Sequence, residues 1–545
     1  MSNGTPPLLE VEGLTVDFHS ATGAFRATHA VSFAVEAGET LVILGESGSG
    51  KSVSASAIMG LIDTPPGEIV SGAIRYRGTD ITRLDEAQRR TFNGRKVAII
   101  FQDPLSHLNP VYTVGWQLGE VFTGHHKAGA AEARRRSIDV LRRVGIPEPE
   151  LRIDWYPHQF SGGQRQRIMI GMAIALGPEL LIADEPTTAL DVSVQAQILD
   201  LLKDLQRTEG LGIIMITHDL EVAAHMADRI VVMKSGRIVE EGTARQVFDA
   251  PQHSYTRQLM HALPAAGSGA VAPAREGQPV LEVEHLSKTY QMAAGIFAPA
   301  RELRAVDDVS FTLRRGETLG LVGESGSGKS TVARMLMRLT PASGGRALFH
   351  GDDVMAMDRR ALLGFRRRVQ MVFQDPYSSM NPRMDVFSII SEPWQIHRDI
   401  LPRARWRERV VELLDLVGLH ADHAQRFPHQ FSGGQRQRIA IARALACDPE
   451  LIVCDEAVSA LDVSIQMQIV HLLGDLRDRL GLSYIFITHD LPIVRNLADR
   501  ILVMKAGRVV EEAPTETLFR TPRDAYTRTL IEAAPKPKWL ETAAA

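Results

Sequence analysis

The chain has 545 residues, 44% of them hydrophobic and 23% charged, a globular balance with length for several domains that excludes a disordered, collagenous or membrane-embedded protein. With 61 basic against 65 acidic residues the formal net charge is -4, so no overall positive field favours nucleic acid or anionic lipid. The 2 cysteines cannot build a disulfide framework or a four-thiolate metal site and suit a reducing compartment.

Along the chain, the first residues lack a charged leader followed by an apolar stretch. No uncharged apolar run reaches the roughly 18 residues of a spanning helix, so any membrane role is expected to run through partners. The first short apolar run, Leu41-Val42-Ile43-Leu44, reads as a strand buried on both faces. It leads into Gly45-Glu46-Ser47-Gly48-Ser49-Gly50-Lys51-Ser52, which satisfies the P-loop pattern between a strand and a helix. There the backbone amides and the helix N-terminus can wrap a di- or triphosphate. Lys51 can neutralise the β- and γ-phosphates, and Ser52 can ligate magnesium. Gln102 follows in Phe101-Gln102-Asp103-Pro104, and Ser161-Gly162-Gly163-Gln164 opens a later helix. Leu180-Leu181-Ile182-Ala183 is another buried strand, and Asp184 and Glu185 stand at its C-terminal end, where ligands of open α/β sheets gather. Asp184 is expected to hold magnesium, and Glu185 to face the attacking water as base or orienting group. Ile213-Ile214-Met215-Ile216 is a third such strand, and His218 lies just beyond it.

From Pro264 to Val280 the composition turns to Ala, Gly and Pro, with Arg275 and Glu276 the only charges, and reads as a flexible linker. Beyond it the chain repeats itself. The twelve residues Pro157 to Ile168 recur unchanged as Pro428 to Ile439, an offset of 271 (428 less 157). The second P-loop repeats the first letter for letter as Gly323, Glu324, Ser325, Gly326, Ser327, Gly328, Lys329 and Ser330, with Thr331 next. Gln374, Ser432-Gly433-Gly434-Gln435, Asp455-Glu456 and His489 follow in the same order. In both copies the aspartate lies 23 residues after the signature serine (184 less 161; 455 less 432), and the histidine 34 residues after that aspartate (218 less 184; 489 less 455). A lone Gly/Ser turn, acidic turn or histidine is ordinarily structural; fixed spacing twice over is what argues for a site. The layout expected is a first domain over 7–263, a linker over 264–280, a second domain over 281–536 and a tail over 537–545.

This ordered set resembles the nucleotide-binding domains of ABC transporters over nearly all of both halves, the Ser-Gly-Gly-Gln segment being the discriminating element. The resemblance implies an α/β fold of two tandem P-loop NTPase domains, each a RecA-like core with an antiparallel β subdomain and a helical subdomain. It implies an ATPase that uses ATP and Mg2+, with the halves pairing head to tail within one chain. Ser432, Gly433, Gly434 and Gln435 would then cap the nucleotide held by Lys51, and Ser161, Gly162, Gly163 and Gln164 the one held by Lys329. Gln102 and Gln374 would contact magnesium and the water, Glu185, His218, Glu456 and His489 would be catalytic, and Ser52, Asp184, Ser330 and Asp455 would hold the metal. Asp191 and Asp462, in Ala189-Leu190-Asp191 and Ala460-Leu461-Asp462, match the D-loop, and Phe18 and Tyr290 fall where an aromatic ring stacks on adenine.

Ala457 stands where the first copy has Pro186, and Met172 where the second has Arg443; neither change removes a catalytic group, so two hydrolytically competent sites are expected. Asp103 to Pro110, Asp375 to Arg383, and the tails Tyr255-Thr256-Arg257 and Tyr526-Thr527-Arg528 are similar to the dipeptide, oligopeptide and nickel importer ATPases, the tandem fusion resembling that of microcin C/oligopeptide importers. Some relatives carry a cysteine cluster in this tail; here Cys447 and Cys454 lie near the second acidic strand and read as small buried residues. The implied job is to power peptide import from the cytoplasmic face of the inner membrane. Two permease subunits would form the path, fed by a periplasmic or surface binding protein, with no nucleic-acid partner. Rival expectations are an importer of nickel or glutathione, an exporter ATPase, and the tandem ATPases of translation or DNA repair. The translation factors have a long charged helical linker and the repair protein zinc-binding cysteine clusters, both lacking here.

Overall fold

The computed structural model describes residues 6–20, 23–188, 190–260, 277–292, 301–375, 379–459 and 461–533. Ala189, Ala460, Pro376, Tyr377 and Ser378, the 264–276 part of the linker and the 537–545 tail lie outside the described residues. The chain divides near residue 261 into two compact units.

In the first unit the strands are β1 (Leu9–Ser20), β2 (Gly23–Val35), β3 (Thr40–Leu44), β4 (Gly67–Tyr76), β5 (Thr79–Asp80), β6 (Val97–Ile100), β7 (Leu180–Asp184), β8 (Gly212–Thr217), β9 (Arg229–Lys234) and β10 (Arg237–Thr243). They make an antiparallel sheet ordered β2-β1-β4-β5 and a six-stranded sheet ordered β10-β9-β3-β8-β7-β6. Within the larger sheet β9, β3, β8, β7 and β6 run parallel and β10 is an antiparallel edge. The apolar runs without period-2 alternation are these central strands, and Leu41, Ile43, Leu181, Ile182, Ile213 and Ile214 are all buried. Each such side chain contributes about 1.5–3 kcal/mol of burial free energy, so the strand stack holds the sheet's C-terminal edge in place. Helices Val114–His126, Ala130–Arg143 and Gly162–Ile174 form the helical part, their apolar faces turned together around Leu118, Phe122, Val140, Leu141 and Ile170.

The second unit repeats the plan with β11 (Pro279–Met292), β12 (Arg301–Arg314), β13 (Thr318–Val322), β14 (Gly344–Phe349), β15 (Asp352–Asp353), β16 (Val369–Val372), β17 (Leu451–Asp455), β18 (Ser483–Thr488), β19 (Arg500–Lys505) and β20 (Arg508–Pro514). The sheet orders are β12-β11-β14-β15 and β16-β17-β18-β13-β19-β20. Its helical part is Val386–Ile396, Trp406–Leu416 and Gly433–Leu445; there the fully buried Trp394 donates its indole Nε1–H to the Ala446 carbonyl at 2.7 Å. Cys447 and Cys454 are buried, and burial pushes their thiols up to about 11 and about 12, so both are inert small residues. Each unit thus has the expected parallel core, antiparallel sheet and helical part. No helix among the described residues is long and apolar enough to cross a membrane.

Candidate nucleotide-binding and catalytic site

Parallel strands end on the same edge of a sheet, and strand order decides which ends are neighbours. β8 lies between β3 and β7, with Leu44 opposite Thr217 and Asp184 opposite Ile216. The P-loop, the acidic pair and His218 therefore emerge side by side, and β6 delivers Gln102 next to β7. The second unit has the same register, with Val322 opposite Thr488 and Asp455 opposite Ile487.

The P-loop is a turn that only glycine allows at its tightest points. A Cβ on Gly45 would collide with the Met233 carbonyl, and Gly50, at φ 97, would put one 2.6 Å from the Ala27 carbonyl. Lys51 and Lys329 begin helices Lys51–Met59 and Lys329–Leu336 and are themselves buried. Each ammonium donates back to its own loop, Lys51 Nζ to the Gly45 and Glu46 carbonyls at 2.7 and 2.9 Å and Lys329 Nζ to those of Gly323 and Glu324 at 2.7 and 2.8 Å. A buried cation held over a glycine cradle at a helix N-terminus is what a polyphosphate requires.

Ser52 Oγ donates to Asp184 Oδ1 at 3.1 Å, and Ser330 Oγ to Asp455 Oδ1 at 2.7 Å. A hydroxyl and a carboxylate converging in this way are hard oxygen donors that fit magnesium. Burial raises both aspartates above the usual carboxylate range, the neighbouring glutamate adding to the rise and the serine hydroxyl opposing it, which a cation would reverse.

Glu185 and Glu456 sit in the left-handed region at φ 47 and 48, a conformation that costs a non-glycine residue about 1 kcal/mol or more. Their amides are anchored to the next strand, Glu185 N–H to the Ile216 carbonyl at 2.9 Å and Glu456 N–H to that of Ile487 at 3.0 Å. Held so, the Glu185 carboxylate accepts from Gln102 Nε2 at 2.6 Å and Thr188 Oγ1 at 3.0 Å and faces His218 Nδ1 at 3.0 Å. The Glu456 carboxylate accepts from Gln374 Nε2 at 2.7 Å and faces His489 Nδ1 at 3.6 Å. Burial pushes Glu185 up, but His218, Thr188 and Lys51 together outweigh it and hold the carboxyl below its ordinary value. His489 pulls Glu456 down against burial and is itself raised by Glu456. Both glutamates are therefore ionised, as proton-accepting or water-orienting groups must be.

The structure thus brings together the P-loop, acidic pair, glutamine and histidine in each unit. The signature segments stand apart from these clusters in their hydrogen bonding. Ser161 caps helix Gly162–Ile174, accepting from Gln164 N–H at 3.3 Å while Gln164 Oε1 accepts from Ser161 N–H at 3.2 Å, and Ser432 with Gln435 does the same. Gly163 and Gly434 are buried, where a Cβ would run into Val194 or Ile465, while Ser161, Gly162, Ser432 and Gly433 are exposed. Of the aromatics, Tyr290 is 39% exposed with Lys288 Nζ 4.9 Å over its ring, whereas Phe18 is half-buried, packed on the core. Phe25, opposite Phe18 across the β1–β2 pair, is 65% exposed and is a second flat ring on that hairpin that sequence reasoning missed. Thr188 was missed as well, although the 271 offset that pairs it with Ser459, another hydroxyl, was a usable signal.

Fold and site together define a P-loop nucleoside triphosphatase with two such centres per chain. Residues 28–188 and 306–459 match the ABC transporter family, and residues 239–290 and 510–544 match the oligopeptide/dipeptide transporter C-terminal region. Among curated relatives, the glutathione import ATP-binding protein GsiA of Escherichia coli (strain K12) is 45% identical, with 97% of this chain and 89% of that protein covered. The peptidoglycan transport ATP-binding protein YejF of Agrobacterium fabrum is 45% identical, with 99% of this chain and 98% of that protein covered. The solved dimeric ATP-binding cassette MJ0796 bound to ADP and Pi is 30% identical, covering 43% of this chain and 98% of that one with a TM-score of 0.39. The chain belongs to the ABC transporter family as an ATP-binding subunit with duplicated cassettes, an ATPase coupled to import.

Proposed function

We propose that this protein is the ATP-hydrolysing motor of a binding-protein-dependent importer for peptides. It would act at the cytoplasmic face of the inner membrane on two separate permease subunits. The observation that carries the substrate class is the duplicated Tyr-Thr-Arg tail, which falls in both matches to the oligopeptide/dipeptide transporter C-terminal region. The importers named for glutathione and for peptidoglycan, both at 45% identity, support small peptides and peptide-bearing fragments as cargo.

In this reading the two domains lie at 7–263 and 281–536, joined by a linker over 264–280 and followed by a tail over 537–545. Lys51 and Lys329 bind the phosphates, and the P-loop amides from Gly45 to Ser52 and from Gly323 to Thr331 cradle them. Ser52, Asp184 and Gln102 in one unit, and Ser330, Asp455 and Gln374 in the other, hold Mg2+, which supplies charge neutralisation on the transferred phosphoryl group. Glu185 and Glu456 orient and deprotonate the attacking water, with His218 and His489 positioning them. The exposed Ser161 and Gly162, and Ser432 and Gly433, suit a γ-phosphate, with Gly163, Gln164, Gly434 and Gln435 shaping the helix start behind them. Phe18 and Tyr290 stack on adenine, and Asp191 and Asp462 stand at the D-loop positions.

Reconstitution tests the reading. The chain should co-purify with two polytopic membrane subunits, and in proteoliposomes it should drive ATP-dependent uptake of peptides presented with the cognate binding protein. Uptake of nickel but no peptide, or association with ribosomes in place of permeases, would sink it.

A further inference from the structure

The tails that pointed to the transporter class also reach the phosphate-binding loop. Tyr255, on helix Ser254–Met260, accepts a hydrogen bond at its phenolic oxygen from the backbone N–H of Glu46, 3.2 Å away. Tyr526, on helix Ala525–Glu532, accepts in the same way from Glu324 N–H at 3.1 Å. Both rings are buried, and each lies beneath a lysine of the last parallel strand, Lys234 Nζ at 4.4 Å and Lys505 Nζ at 4.5 Å. The start of each tail helix is clamped to the antiparallel edge strand. Glu240 on β10 accepts from the Gln252 and His253 amides at 2.8 and 2.9 Å, and Glu511 on β20 from those of Arg523 and Asp524 at 2.8 and 3.0 Å. A second grip comes from the turn before that strand, where Gly236 N–H donates to the Ser49 carbonyl and Gly507 N–H to the Ser327 carbonyl, each at 3.0 Å.

We propose that each C-terminal extension is a strut that sets P-loop geometry, with Tyr255 and Tyr526 as positioning residues for nucleotide binding. The inference rests on the reading of the P-loops as the ATP sites. Glu46 is one of the two loop residues whose carbonyls take the Lys51 ammonium, so its amide is pinned by the tail and its carbonyl by the phosphate-binding lysine. A polyphosphate entering the cradle draws Lys51 toward itself and off that carbonyl. The tyrosine then keeps the first turn of the loop from relaxing, so the amides farther along stay aimed inward. The strut acts on binding and not on the bond-breaking step, because among the described residues no tail side chain hydrogen-bonds to the acidic pair.

The test is calorimetric titration of the full chain with ATP in EDTA, where no hydrolysis occurs, comparing wild type with the double variant Tyr255→Phe, Tyr526→Phe. The rings and their lysine contacts remain and only the two hydroxyls are lost. The expected result is ATP binding weakened about three- to tenfold, the value of one modest hydrogen bond per site. Unfolding temperature should stay within about 2 °C of wild type, and in magnesium KM should rise with kcat unchanged. Lys234→Met with Lys505→Met removes the cation–ring contact alone and should leave ATP affinity as it was. If the phenylalanine variants do not fold, Glu240→Gln with Glu511→Gln, which loosens the helix clamp, should weaken ATP binding in the same direction. ATP binding within about twofold of wild type in the variant so tested, or equal weakening by the lysine pair, overturns the strut. A wild-type chain that binds no ATP would instead overturn the nucleotide reading itself, and the strut with it.

Discussion

The two acidic pockets share their frame and differ in their fastening. Glu185 and Glu456 have the same left-handed backbone and the same side-chain exposure, 15% and 16%, so burial does not distinguish them. Glu185 is gripped by Gln102, Thr188 and His218, all within 3.0 Å. Glu456 keeps the glutamine, but its histidine stands off at 3.6 Å, and Ser459 turns its hydroxyl to the Glu456 backbone carbonyl at 3.0 Å in place of the carboxylate. The loop after the glutamine differs as well. In the first unit it closes on itself, with Ser106 donating to Asp103 at 2.6 Å and His107 stacked on Phe101. In the second, Arg443 of the signature helix reaches across to the Ser379 carbonyl at 2.6 Å, a tie Met172 cannot make. Duplication preserved the pocket carboxylates and let their supports drift.

The largest effect tests whether that drift has disabled a site. Glu185→Gln and Glu456→Gln each remove the carboxylate proposed to orient the water, and each should slow hydrolysis at its own site by about 100-fold or more. In single-turnover assays of occluded nucleotide, at least half of the bound ATP should then outlast the wild-type reaction time for either variant. Hydrolysis in one of them to the same extent and at the same rate as wild type would mean that its pocket was already silent, and the two centres would not be equivalent.

A smaller effect sharpens the comparison. Thr188→Val removes a hydroxyl that holds the carboxylate, whereas Ser459→Ala removes one that holds only backbone. With the opposite glutamate replaced by glutamine to isolate each site, Thr188→Val should slow hydrolysis about three- to tenfold and Ser459→Ala less than about twofold. Equal losses would show that the hydroxyl at this position serves the turn in both units.

Much of this was legible because the chemistry rides on strand ends. Unbroken apolar runs such as Leu180 to Ala183 read as strands buried on both faces, and a parallel sheet gathers the residues that follow them on one edge. The fastening was illegible for a matching reason. Thr188 reaches the carboxylate only because Glu185 takes a left-handed turn, which glutamate does not advertise. Tyr255 meets Glu46 across more than 200 residues of sequence, through a contact that exists only once β9 and β10 are paired. The folding-back of Gln164 onto Ser161 was readable, since Ser-x-x-Gln before an apolar helix is a capping box, and it gives the side chain a structural task beside the expected contact with nucleotide.

The finest distinction is electrostatic and lies at His489. Its charged form is favoured first by Glu456 and then by Asp490, and opposed by burial and by Lys329; the balance raises its pKa above the ordinary 6.5. Removing the first of these in Glu456→Gln leaves burial and Lys329 in command, so the imidazole should then titrate below 6.5, a reversal that NMR of the histidine ring can read in the full chain. The sign for stability follows by linkage. A histidine raised on folding binds its proton more tightly in the native state, so its stabilisation is complete below 6.5 and fades as pH climbs through the raised folded value. Hydrogen exchange of the β18 segment, corrected for intrinsic rates, should accordingly lose protection as pH rises above neutrality in the wild type. In His489→Gln that slope should flatten. An unchanged slope would mean that the 3.6 Å gap is too wide to bind the pair, leaving the Glu456 carboxylate held by Gln374.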